Sequence, residues 1–174
     1  MIKDKISCDL KNRIIEDNLK TRHDGLERGF YICIGRKDKK LYPHERKCVG
    51  EYCKVELIGT CPNKAQGTYH VHPLVQRIIN ETKETTGKKV SEEEAAELLS
   101  RSKAKYVSEY TTRSGPDLIH AIMNRQEEKS HGTTCIGSDF KHNIVDCWSI
   151  KKNAYLKKEI RSLKDLGQSL RWRE

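Results

Sequence analysis

Gly67-Thr68-Tyr69-His70-Val71-His72-Pro73 is the stretch on which the reading of this chain turns. Its residues are β-branched and aromatic, and Pro73 stops the run because proline has no N–H to give a ladder. It therefore reads as a strand over 67–72. Side chains at i and i+2 of a strand share one face. His70 and His72 thus aim two imidazoles into one small volume, as a shared metal ion requires. Seven histidines in 174 residues yield roughly 0.3 such pairs by chance, so the pair needs support from elsewhere in the chain.

On the N-terminal side, Leu10, Ile14, Ile15 and Leu19 recur at helical spacing, which predicts a helix over 9–23 ended by Asp24-Gly25. The apolar run Phe30-Tyr31-Ile32-Cys33-Ile34, closed by Gly35, reads as a buried strand over 29–35. Residues 52–59 alternate and read as a half-buried strand. On the C-terminal side, Leu74, Val75, Ile78 and Ile79 give a short helical pattern. Ser91 with Glu94 three residues later forms a capping box and predicts a helix over about 92–104. Ser114-Gly115-Pro116-Asp117 opens a further predicted helix over about 116–128. Strands follow at 132–137 and 143–150, then a charged helix near 154–166. The order is that of a mixed α/β layer with helices on it.

Apolar residues make up 35% and charged residues 34% of the chain. No apolar block reaches the roughly 18 residues of a membrane span. The first residues lack an apolar signal core, so the expectation is a cytoplasmic chain with no membrane partner. The net charge of +9 is spread along the chain, and aromatics are only 6%. Such a surface is soluble and attracts anions, but it offers no evident platform for stacking single strands. The seven cysteines are an odd count and fit a reducing interior. Cys33, Cys135 and Cys147 lie in apolar runs and read as small core residues. Cys48, Cys53 and Cys61 lie among charged or turn residues. With His44 they make a conceivable zinc knot, although no standard CxxC spacing is present; a disulfide among them or free thiols are the other readings.

Two further elements bear on His70 and His72. Ser114 and Asp117 sit at a helix start, where the pair serves equally as an N-cap and a first-turn acid. Glu27 lies just before the first apolar strand. If that strand neighbours the one with the histidines, its carboxylate reaches the same volume. His120, one turn after Asp117, is a rival ligand.

Taken in order, these residues resemble a known family. Glu27 precedes an apolar strand ending in Gly35. Then come Gly-Thr-Tyr-His-Val-His-Pro, Ser114-x-x-Asp117-Leu118 opening a helix, and Cys135-Ile136-Gly137 before an apolar strand. This succession resembles the JAMM (JAB/MPN-type) zinc metallopeptidase domain over about 9–150, apart from 74–113. The resemblance implies an α+β fold of the cytidine-deaminase-like kind, a mixed curved sheet flanked by helices. It implies one domain over 1–174 with a helical segment inserted at 74–113. It implies Zn2+ held by His70, His72 and Asp117, Glu27 as the acid/base, and Ser114 as a support for the oxyanion. The activity it implies is hydrolysis of an amide or isopeptide bond, with a protein substrate of the ubiquitin-like kind. The family usually has a short loop between its HxHP and SxxD elements. Here 74–113 intervenes, placed to gate, recognise or block the substrate. A non-catalytic partner-binding module and a RadC-like protein associated with nucleic acid are the two other readings. The last rests on the +9 charge.

Overall fold

The computed structural model describes residues 6–51, 55–62, 65–101, 130–140, 144–149 and 167–171. The architecture is α+β, one mixed sheet with helices. Helix α1 spans Cys8–Asp24. It is capped by Ser7, whose hydroxyl accepts the Leu10 N–H, and closed by Gly25 in the left-handed region at φ 73°. The strands are β1 (Arg28–Ile34), β2 (Leu41–Pro43), β3 (Cys48–Val49), β4 (Ala65–His72), β5 (Ser130–Ser138), β6 (Ile144–Ser149) and β7 (Gly167–Arg171). Helices α2 (Leu74–Thr86) and α3 (Glu92–Arg101) lie between β4 and β5. The sheet runs β2-β1-β4-β5-β6-β7, with β3 also on β1. Only the β4–β5 pair is parallel among these, which is why a long helical connection separates them in the chain.

Alternation along the strands sorts the two faces of the sheet. Phe30, Ile32, Tyr69, Val71, Cys135 and Val145 form one core with Leu10 and Ile14 of α1. Their neighbours in the strands, among them Gly29, His70 and Ile136, therefore belong to the face away from α1. Tyr69 is the largest fully buried side chain among the described residues. Its hydroxyl donates to Asn18 Oδ1 and lies over Gly137, where any Cβ would meet the ring. Full burial pushes this phenol well above its usual range. A second core of Leu74, Val75, Ala95, Ala96, Leu99 and Phe140 joins α2 and α3 to the end of β5. Ser91 caps α3 by accepting the Glu94 N–H at 3.1 Å.

Residues 55–59 carry no strand, contrary to the alternation of 52–59. The two-residue β3 takes the ladder position on β1 instead, pairing Arg28 with Val49 and Gly29 with Cys48. The alternation at 55–59 has a different origin: Leu57 turns in over Gly29 while Ile58 points outward, half exposed.

The cysteine readings also need correcting. Cys33 is buried, but it is bonded to Cys61, with Cα atoms 5.6 Å apart. Cys135 is likewise disulfide-bonded. Two cysteines read as reduced core residues are therefore oxidised. The zinc knot loses Cys61 to this bond. Cys48 Sγ instead accepts the Ile58 N–H at 3.3 Å, and Cys53 lies outside the described residues. Among the described residues no helix is long and apolar enough to cross a membrane.

Candidate functional site

The site is built at the C-terminal end of β4. His70 is buried and His72 half-buried, and their Nε2 atoms lie 3.1 Å apart with rings tilted by 49°. Strand alternation alone brings both imidazoles to one face, as their i, i+2 spacing requires. With Zn–N bonds of about 2.0–2.1 Å, two ligands of a tetrahedral ion sit about 3.3 Å apart. The pair is thus already near the bite of one metal ion. Two neutral imidazoles at this distance can equally share one N–H, and the tautomers decide which ring donates.

Glu27 approaches from β1. That strand pairs Arg28 with Val71 and Gly29 with His70. The same antiparallel register, extended by one residue, sets Glu27 opposite His72. Its backbone is fixed on the far side, where its N–H donates to the Glu51 carbonyl and its own carbonyl accepts the Gly50 N–H, both at 2.9 Å. The residue is buried, at 8% exposure. Gly29 makes the neighbouring space: a Cβ there would lie 2.9 Å from Leu57 Cδ2 and 3.1 Å from His70 Cβ. The segment 55–61 therefore walls this face beside His70, and the Cys33–Cys61 bond ties its end to β1.

On the other side of β4, the parallel register pairs His70 with Ile136 and His72 with Ser138. Glu27, His72 and Ser138 so form one row across three strands. Ser138 is fully buried. The next residue, Asp139, turns away and accepts the backbone N–H groups of Leu74 and Val75 at 3.1 and 3.2 Å. These are the first residues of α2, whose N-cap Pro73 offers no side-chain acceptor. Asp139 supplies that acceptor from a distant part of the chain. Burial pushes its carboxyl up to about 7 despite these two hydrogen bonds. Neither Ser138 nor Asp139 carries a motif, and both fall between the strands expected at 132–137 and 143–150.

Glu27, His70 and His72 are thus gathered at one strand tip. Ser114, Asp117 and His120 lie outside the described residues. Among the described residues no group of three or more His, Cys, Asp or Glu could hold a metal ion. The two imidazoles are donors whose chemistry and spacing would suit zinc, but two donors alone make no zinc site.

No family model, curated protein or solved structure matches this chain.

Proposed function

We propose that the chain is a zinc-dependent peptidase or isopeptidase of the JAMM-like kind, hydrolysing an amide bond after a ubiquitin-like protein tail. The observation that carries this reading is the 3.1 Å approach of the His70 and His72 Nε2 atoms. The register that sets Glu27 opposite His72 adds to it.

In this reading His70, His72 and Asp117 would hold Zn2+. When bound, the ion acts as a Lewis acid that lowers the pKa of a water molecule and polarises the scissile carbonyl. Glu27 would take a proton from the attacking water and pass it to the leaving amine, as the C–O bond forms and the C–N bond breaks. Ser114 donates a hydrogen bond to the oxygen that gains charge. Backbone bonds on its outer side hold Glu27 in place, and the wall of 55–61 limits water beside His70.

The test is Glu27→Gln, assayed on a fluorogenic isopeptide together with zinc content. The variant keeps its zinc and loses hydrolysis by at least about 100-fold, the span of general acid–base catalysis. Cleavage at the wild-type rate would remove Glu27 from its role.

A further inference from the structure

The segment 55–61 walls the imidazole face without belonging to the sheet. It carries no strand, and none of its residues is fully buried. Leu57 is half-buried and leans over Gly29. Its Cδ2 and the His70 Cβ lie 2.9 and 3.1 Å from the point that a Cβ on Gly29 would take. The Cys48 thiol accepts the Ile58 N–H at 3.3 Å and donates to the Ile58 carbonyl at 3.7 Å, while the Ile58 side chain is half exposed. Gly59 rests on the His44 ring. The covalent tie is the Cys33–Cys61 bond, and its two ends differ. Cys33 is buried in β1, paired there with Tyr42 of β2. Cys61 is half-buried on the segment itself. A stretch with little buried apolar surface and no ladder belongs to the low-stability end of a fold, so a cross-link at its end decides whether it stays closed.

We propose that the Cys33–Cys61 bond is a redox latch on the site: closed, it holds 55–61 against His70, and reduction by a dithiol frees the segment, wets the imidazole and turns the site off. The regulation of hydrolysis rests on the peptidase reading; the latch over His70 does not. The exchange balances. A thiolate of the dithiol attacks Cys61 Sγ, on the half-buried end, the S–S bond breaks, and Cys33 leaves as a thiolate that takes up a proton. The second thiolate of the dithiol then attacks its own sulfur in the mixed disulfide, closes a ring and releases Cys61 as a thiol. The dithiol is oxidised and the protein disulfide reduced. The described ties left on 55–61 are then one half-buried leucine, a glycine against a ring and hydrogen bonds to a thiol, which is a weak donor and a weak acceptor. The β1–β4 ladder involves neither sulfur, so the strand that carries His70 and His72 keeps its place while its cover leaves.

The test acylates the full chain with diethyl pyrocarbonate, free of metal, and reads the rate at His70 by peptide mass spectrometry. Four samples are compared: oxidised wild type, wild type reduced with dithiothreitol and desalted without oxygen, Cys61→Ser, and oxidised Gly137→Ala. The last is destabilised at a distance from the latch. Reduced wild type and Cys61→Ser acylate at least about tenfold faster than oxidised wild type, and Gly137→Ala does not. At saturating zinc, hydrolysis of the fluorogenic isopeptide falls by about tenfold or more in the same two samples, because His70 is no longer held in position. Equal acylation of oxidised and reduced wild type overturns the latch. So does Gly137→Ala reacting as fast as Cys61→Ser, since the effect is then a general loosening. If His70 opens while cleavage stays as fast or rises, the segment is no part of the working site and the proposal is overturned, with the peptidase reading intact. If acylation follows the bond but oxidised, zinc-loaded wild type does not cleave, the peptidase reading fails and the latch over His70 stands.

Discussion

The carboxylate of Asp139 accepts the backbone N–H of Leu74 at 3.1 Å, across a sequence separation of 65. This bond ties the turn after β5 to the first residue of α2, two positions past His72. A residue with no motif of its own thereby fixes the strand tip that carries both imidazoles.

It also makes stability depend on pH in an unusual sense. Burial raises the Asp139 carboxyl from 3.8 to about 7 in the folded chain. A raised folded-state value means that the fold prefers the protonated acid. Its contribution is complete below about pH 4 and is lost as pH rises through about 7. Asp139→Asn keeps an acceptor oxygen for α2 but cannot ionise. Between pH 5 and 8 the wild type should lose stability relative to this variant, by on the order of 2 kcal/mol. Denaturant unfolding at several pH values measures the difference, and parallel curves would contradict it.

Reduction of the Cys33–Cys61 bond should destabilise the chain. The bond closes a loop with a sequence separation of 28, for which loop-closure entropy alone gives roughly 3.6 kcal/mol. Cys33→Ser should show a loss of similar size, measured by denaturant unfolding without reductant. Equal stability of oxidised and reduced protein would show that 55–61 is held by its other contacts, Leu57 over Gly29 and the Cys48–Ile58 bond.

Gly137→Ala should cost about 1–3 kcal/mol, the range for overpacking a filled core. The new methyl would meet the Tyr69 hydroxyl, which is fully buried and committed to Asn18. A melting temperature equal to wild type would show that the ring can shift.

The elements with strong local signals were legible in the sequence. The period of Leu10, Ile14 and Ile15 marks α1, and the structure ends that helix at Asp24 before Gly25, as read. Ser91 with Glu94 marks the start of α3, because a capping box is a local device. The His70–His72 approach follows from the strand period alone. What the sequence hid depends on partners far away in the chain. β2 and β3 are two or three residues long, too short to show any period, and exist because β1 offers them an edge. β7, Gly167–Arg171, has no apolar alternation and is defined by its pairing with β6. Leu57 imitates a strand residue because Gly29 gives it a hole to fill. The Cys33–Cys61 pairing could not be read from spacing, since Cys33 looks like any small residue of an apolar strand. Ser138 and Asp139 gain their interest only through the parallel register with β4.

The most direct measurement is the zinc content of the purified full chain after dialysis against zinc, beside His70→Ala and His72→Ala. The expected result is about one zinc per wild-type chain, none in either variant, and melting of the apo-variants close to that of the apo-wild type. A wild type that retains no zinc, or a His70→Ala variant that retains as much, would contradict it.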